Sequence, residues 1–158
     1  MADTFTTEQR SAIMSRIRSR GNVGTEVQFV RLLRKHGIRG WRRGSLLPGK
    51  PDFVFPKERI VVFIDGDFWH GNPRRFRLPK SNTTYWTQKI LGNRRRDRRV
   101  NRVLKSSGWR VIRFWQSSLA DEARVVRRLA SDLASPAASV KKARDTAIRS
   151  RRRRAGGK

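Results

Sequence analysis

The sequence predicts an α/β fold in one compact domain with basic extensions at both ends. Three observations predict it. Apolar residues recur at helical spacing in several segments, short segments rich in β-branched and aromatic residues lie between them, and Gly or Pro separates most of the segments. A length of 158 residues allows one hydrophobic core of modest size.

The first helix is predicted over residues 25–36. Thr25 and Gln28 fit the capping-box pattern with which many helices begin. Apolar residues follow at helical spacing, and Gly37 marks the predicted end.

Residues 51–55 and 59–64 are predicted to form two strands of an antiparallel hairpin. Both segments are rich in Val, Ile and Phe, and Pro56-Lys57-Glu58 separates them. This pairing would place Asp52, at the start of the first strand, near Asp65, at the end of the second.

A long basic helix is predicted over residues 84–105, because apolar positions recur there among arginine-rich turns before Gly108. Residues 109–115 alternate and are rich in β-forming residues, which predicts a third strand. Residues 119–133 return to a helical period and complete the predicted fold.

The charge of the chain indicates its partner. Lys and Arg number 39 against 12 Asp and Glu, a formal net charge of +27. A polyanion is therefore expected, since each basic side chain placed on a phosphate releases a counterion. Basic residues recur along the whole chain instead of on one amphipathic helix, so we expect nucleic acid and no membrane partner.

The sequence contains no cysteine, which excludes disulfides, a thiolate nucleophile and Cys-ligated metal sites. We expect a cytoplasmic protein associated with the nucleoid.

The two ends are assigned separately from the domain at 25–134. Residues 1–24 are expected to form a DNA-contacting arm with a weak helix at 8–18, in which Met14 and Ile17 serve either as core contacts or as a wedge between base pairs. Residues 135–158 are expected to be a basic, solvated tail.

Acidic residues are few, so their clustering at predicted strand ends is informative. Each of Asp52, Asp65 and Asp67 taken singly could be an ion-pair partner. Together, however, Asp52 and Asp65 would meet at one edge of the hairpin, where carboxylate oxygens suit Mg²⁺. Such a site serves phosphodiester cleavage, because the metal stabilises charge on the phosphate and activates a water molecule.

His70 follows Asp65 by five residues. A single histidine is commonly packed or exposed without a role, but beside a metal and a phosphate it suits a general base. Asp97 lies within an arginine-rich run and either forms an i,i+4 ion pair or orients His70. Phe68 and Trp69 belong either to the core or to a surface that stacks on bases.

Four segments together resemble very short patch repair (Vsr-type) DNA mismatch endonucleases. In chain order they are Pro51-Asp52-Phe53-Val54, Phe63-Ile64-Asp65-Gly66-Asp67-Phe68-Trp69-His70, Arg96-Asp97-Arg98-Arg99 and Gly108-Trp109-Arg110-Val111. The resemblance implies a restriction-endonuclease-like core with a central mixed β-sheet flanked by helices. It also implies Mg²⁺-dependent nicking of one strand of double-stranded DNA beside a T·G mismatch left by deamination of 5-methylcytosine.

The resemblance also implies residue roles at the catalytic site. By motif match Asp52 is the principal Mg²⁺ ligand, and Ile64 contributes its backbone carbonyl. His70 is the base, with Glu26 and Asp97 in support.

For DNA binding, Phe68 and Trp69 match the family's intercalating aromatic residues, and Met14 with Ile17 matches its N-terminal wedge. The basic helix is expected to follow the phosphates with three arginines: Arg94, Arg95 and Arg98.

The chain departs from the family pattern in two places. Asp65 stands where the family has a second active-site histidine, which favours a carboxylate metal site with Asp65 as a further ligand and assistance by two metals. The family's structural zinc positions fall on Asp67, Asn72, Arg74 and Ser117, so no structural zinc is expected. Similar zinc-free domains occur in homing nucleases.

Three functions are therefore compared: a mismatch nicking enzyme, a homing or sequence-directed endonuclease without mismatch preference, and a non-catalytic basic nucleic-acid-binding protein. We expect a monomer, because nicking one strand needs no dimer. Mismatch-repair proteins are the other partners considered.

Overall fold

A three-stranded mixed sheet lies at the centre of residues 23–135, the part of the chain that the computed structural model describes. Strand β1 (Phe53–Phe55) pairs antiparallel with β2 (Ile60–Asp65), and β2 pairs parallel with β3 (Arg110–Trp115). The predicted hairpin and mixed sheet are confirmed. The predicted arm and tail, including Met14 and Ile17, lie essentially outside the described residues.

Helices cover both faces of this sheet. They are α1 (Val23–Lys35), α2 (Thr83–Ser106), a 3₁₀ helix (Gln116–Ala120) and α3 (Glu122–Ala134). Helix α2 supplies the crossover that the parallel strands β2 and β3 require. Within residues 23–135, no helix is both long and apolar enough to cross a membrane.

Asp121 separates the last two helices, where the sequence predicted one helix over 119–133. Its carboxylate accepts a hydrogen bond from the backbone N–H of Arg124 at 3.1 Å, the usual interaction of an N-cap. The prediction of a continuous helix is therefore wrong, since Asp121 begins a new one.

Strand β1 begins at Phe53, so the prediction that Asp52 starts this strand is also wrong. Phe53 pairs with Val62, and the same register continued by two residues sets Pro51 opposite Ile64. Because proline has no N–H to donate to a neighbouring strand, it cannot continue the ladder.

One face of the sheet is apolar and packs against α1 and α3. The ring of Phe29 on α1 lies 4.8 Å from that of Phe53 and 5.9 Å from that of Phe114. Leu129 of α3 is fully buried in the same cluster. This face forms the main hydrophobic core.

The opposite face packs against α2, and its side chains change from apolar to charged along the strands. Val61 and Phe63 are buried there with Leu104 of α2. Since side chains alternate between faces, Asp65 follows Phe63 on this side, and Arg113 of β3 lies beside it. The charged end of this face, beneath α2, positions the functional site.

Candidate active site

Asp52 is half-buried just before β1, and its Oδ2 accepts the backbone N–H of Ile64 at 2.7 Å. Burial raises the pKa of Asp52 to about 6, although the Ile64 hydrogen bond opposes the shift. The nearby carboxylates of Glu26 and Asp65 raise the pKa further. Negative charge is thus concentrated around a desolvated carboxyl group, an arrangement that a bound cation would relieve.

The backbone carbonyl of Ile64 provides a second oxygen beside Asp52. The N–H and C=O of one strand residue point to the same side, so the Ile64 carbonyl faces β1 together with the N–H that Asp52 accepts. Pro51, at the opposite register position, has no N–H for this carbonyl. The Asp52 carboxylate and the Ile64 carbonyl are therefore available as a pair of oxygen ligands.

This donor pair suits magnesium better than zinc. Mg²⁺ commonly takes one or two carboxylates and keeps several waters, whereas a zinc site uses at least three protein side chains. Within residues 23–135, no group of three or more His, Cys, Asp and Glu side chains is arranged to hold a metal ion.

Asp65 is buried at the end of β2 and engages Arg113 with both carboxylate oxygens. Nη1 of Arg113 donates to Oδ1 at 2.7 Å and to Oδ2 at 2.9 Å. The guanidinium also lies 4.4 Å from the centre of the Phe63 ring, and its Nε donates to Asn101 at 3.1 Å. Because both Asp65 oxygens serve this arginine, a role for Asp65 as a metal ligand stays a prediction.

His70 and Asp97 form a close pair across the site. The distance from His70 Nδ1 to Asp97 Oδ2 is 2.6 Å, and Asp65 Oδ1 lies 3.7 Å from the same nitrogen. Burial alone would raise the pKa of Asp97, but the His70 hydrogen bond and the positive charge of Arg113 lower it below its ordinary value. Asp97 is therefore ionised and in contact with the imidazole, and its role in orienting His70 stays a prediction.

The segment that carries His70 is fastened to α2. Gly71 has φ +61, and a Cβ there would lie 2.8 Å from Ile90, so the close approach to the helix favours glycine. Arg94 donates to the carbonyl oxygens of Gly71 and His70, and Asn93 donates to that of Trp69 at 2.8 Å. These bonds fix the position of the imidazole relative to Asp97.

Glu26 is contributed by α1 and forms an ion pair with Arg43. Its negative charge acts on Asp52, as described above. Glu26 is thus close enough to support the site electrostatically.

The predicted stacking residues belong to an aromatic cluster beside His70. The ring of Phe68 lies 5.4 Å from Trp69, 5.5 Å from Phe76 and 5.2 Å from Trp86. Phe68 and Trp69 are half-buried and Trp86 is buried, whereas the neighbouring Tyr85 is exposed. The cluster combines packing with partial exposure, so both interpretations of Phe68 and Trp69 stay open.

Known proteins of similar sequence identify the family of the chain. Residues 2–75 match the protein family described as DNA mismatch endonuclease Vsr. Over 130 residues the chain is 42% identical to Type II nicking enzyme V.XorIIP of Xanthomonas oryzae, covering 82% of this chain and 95% of the relative. Over 120 residues it is 37% identical to DNA mismatch endonuclease Vsr of Escherichia coli, covering 75% and 76% of the two chains.

The chain belongs to the Vsr family. It is a DNA endonuclease with an α/β core consistent with the restriction-endonuclease-like fold.

In this Vsr-family protein, hydrogen bonds join Asp67, Asn72 and Ser117, three of the four positions at which the sequence resemblance led us to expect no structural zinc. Asp67 accepts hydrogen bonds from the side chain of Asn72, from the backbone N–H of Ser117 at 3.1 Å and from Ser117 Oγ at 2.7 Å. At the fourth position, the backbone N–H of Arg74 donates to Asn72 Oδ1. The network ties the segment after β2 to the 3₁₀ helix.

The predicted phosphate-binding arginines of α2 divide into two groups. Arg95 and Arg98 are exposed, as are Arg99 and Arg102, and Arg98 also lines the cavity that contains His70. Arg94 instead points inward and holds the backbone beside His70. Contact of Arg94 with DNA phosphates stays a prediction. Its side chain contacts the backbone of His70 and Gly71.

Arg113 is the main site residue that the sequence did not single out. It contacts Asp65 and Asn101 and lies 3.6 Å from Asp97. The available signal was a charged residue in the middle of a strand that is otherwise apolar after Arg110. Trp86 lies in the basic helix predicted over residues 84–105, and the sequence did not indicate that it belongs to the aromatic cluster.

Proposed function

We propose that this Vsr-family endonuclease nicks one strand of double-stranded DNA at T·G mismatches and uses Mg²⁺ held by the Asp52 carboxylate and the Ile64 carbonyl. The observation that carries the proposal is the desolvated Asp52 beside a second oxygen ligand, with the His70–Asp97 pair in the same site. Mismatch preference is supported by the relative from Escherichia coli, which is named a DNA mismatch endonuclease.

When bound, Mg²⁺ would stabilise negative charge on the scissile phosphate and activate a water molecule. The protein's own contribution begins at His70. If Nδ1 donates its hydrogen to Asp97, the tautomer leaves Nε2 unprotonated and able to accept a proton from water. Ionised Asp97 stabilises the imidazolium that results, and Arg113 holds Asp65 in a fixed position at the wall of the same cavity.

The aromatic cluster and the exposed arginines of α2 would share DNA recognition. Arginines on phosphates position the enzyme without reading sequence. Discrimination of a mismatch then depends on bases near Phe68 and Trp69, because a mismatched step is easier to unstack than a matched one. Binding of mismatch-repair proteins stays a prediction.

The test compares two duplexes that are identical except for one T·G mismatch, each with Mg²⁺ or with EDTA. Wild type is expected to nick only the mismatched duplex and only with Mg²⁺. Asp52→Asn should lower the nicking rate by about 10³-fold, equivalent to about 4 kcal/mol of transition-state stabilisation, while DNA binding is retained. Asp132→Asn on α3 is the matched control and should nick as wild type.

The other outcomes separate the competing functions. Equal nicking of both duplexes would retain the endonuclease and remove the mismatch preference, in favour of a sequence-directed or homing enzyme. Metal-independent nicking, or nicking unaffected by Asp52→Asn, would overturn the proposed magnesium site.

A further inference from the structure

A second cavity, of about 540 Å³, lies at the outer edge of β3 and is lined by five arginines. Asp121 is its one acidic lining residue. The arginines come from the segment after β2, from β3 and from α3, and they are Arg74, Arg75, Arg113, Arg124 and Arg128. We call this the arginine cavity.

Separate structural elements direct these cations to one place. Arg124 and Arg128 are four residues apart on α3, so they project from the same side of the helix. Arg74 and Arg75 follow Asn72, which Asp67 fixes to the 3₁₀ helix through Ser117. The arginines of the cavity are therefore brought together by tertiary structure, and they do not all come from one helix.

The charge of the arginine cavity is largely uncompensated. Among residues 23–135, no ion pair joins Arg74, Arg75 or Arg124 to a carboxylate. Arg128 lies over the Phe114 ring, 5.4 Å from its centre. Within the same residues, the Asp121 carboxylate accepts a hydrogen bond from the backbone N–H of Arg124 and forms no ion pair. Arg113 is paired with Asp65, but the other four arginines converge with Asp121 as the one acidic lining residue, and this excess of positive charge creates a potential that attracts phosphate groups.

The arginine cavity adjoins the catalytic cavity. The cavity of about 410 Å³ that contains Asp65, His70 and Asp97 shares part of its lining with the arginine cavity. The shared residues are Pro73, Arg113, Phe114 and Trp115. A DNA backbone that passes the catalytic residues can therefore continue past β3 without leaving the protein surface.

We propose that the arginine cavity binds backbone phosphates of double-stranded DNA on one side of the nicking site, as a contact surface separate from the exposed arginines of α2. The proposal rests on double-stranded DNA as the substrate, and it needs neither mismatch preference nor a metal. Continuity with the catalytic cavity favours a DNA flank over a free phosphate compound.

The test measures duplex affinity of the full chain in EDTA over a series of salt concentrations. Arg124→Gln/Arg128→Gln removes two contacts, so the slope of log K against log salt should become shallower by about 1.8. Arg31→Gln/Arg127→Gln removes the same charge from exposed positions outside the cavity and is the matched control, for which the wild-type slope is expected. An equal change in both double variants, or none in the first, would overturn the proposal.

A second arm identifies the source of the phosphates. The salt slopes are measured again on duplexes shortened from one end or from the other. The difference in slope between wild type and Arg124→Gln/Arg128→Gln should disappear when one particular flank is removed. A difference that persists on every shortened duplex would contradict the proposal. Arg124→Gln alone guards against misfolding, because the capping contact of Asp121 uses the backbone N–H of Arg124 and its side chain forms no hydrogen bond within residues 23–135. A slope change of about 0.9 is expected for this variant.

These results do not depend on nicking. If wild type nicked matched and mismatched duplexes equally, the proposed mismatch preference would fail while the salt slopes still tested the arginine cavity.

Discussion

The two faces of the sheet divide stability and chemistry between them. The face beneath α1 and α3 carries the apolar side chains of all three strands, among them Phe53, Val62 and Phe114. The face beneath α2 is apolar only in its first half and then carries Asp65 and Arg113. The main core on one face stabilises the domain. The other face can therefore carry charged groups at the ends of its strands in place of buried apolar side chains.

The largest effect is expected from the apolar face. Phe29→Ala should lower the free energy of unfolding by about 3–5 kcal/mol, because a fully buried ring is replaced by a cavity. Urea unfolding measures it. Phe29→Leu, which keeps most of the volume, should cost clearly less. Equal losses for both variants would show that Phe29 does not act through packing.

The charged face should respond in activity more than in stability. Asp97→Asn removes the negative charge that faces His70, so nicking should fall by about 10²- to 10³-fold and its pH dependence should change. Single-turnover rates from pH 5 to pH 9 measure both. A uniform fall in rate without a change in the pH profile would contradict a role of Asp97 through His70.

Asp52 should destabilise the fold when it is ionised. Its pKa is raised from 3.8 to about 6, so the stability that its protonated form provides is complete below pH 3.8 and is lost as pH rises through about 6. Without Mg²⁺, Asp52→Asn should therefore stabilise the protein by about 3 kcal/mol at pH 7. The gain should shrink toward pH 4, and a pH-independent difference would contradict this origin.

A smaller effect is expected from the Asp67 network, which joins the segment after β2 to the 3₁₀ helix. Asp67→Ala leaves donors of Asn72 and Ser117 without their acceptor and should cost about 1–3 kcal/mol in urea unfolding. Asp132→Ala on α3 is the control, with a change within about 0.5 kcal/mol. If the two variants unfold alike, the network does not stabilise the segment after β2.

Much of the fold was predictable because its elements are locally encoded. The β-rich segments around Pro56-Lys57-Glu58 predicted the hairpin, and the apolar spacing before Gly108 predicted α2. The end of the chain was harder. Leu119 fits a helical period in either arrangement, so only the capping contact of Asp121 distinguishes two helices from one.

The sequence predicted which residues form the site better than it predicted which of them pair with each other. The clustering of acids at strand ends indicated Asp52 and Asp65. The structure places Asp65 beside His70, which pairs with Asp97, and brings Asp52 close enough to Asp65 for their charges to interact. The partner of Asp65 was not predictable, because Arg113 is distant in sequence and meets it only through the parallel pairing of β2 with β3. Pairings of this kind arise from tertiary structure and leave no local pattern.

The short β1 ladder links activity to the fidelity of folding. Pro51 ends the pairing of β1 with β2, and Phe53 meets Val62 in the register that sets the Asp52 carboxylate beside Ile64. A slip of one residue would turn every β1 side chain to the other face of the sheet. It would also separate the Asp52 carboxylate from the Ile64 carbonyl oxygen. A protein with a misaligned hairpin would therefore be folded but inactive. Nicking activity thus reports whether β1 and β2 are paired in the correct register.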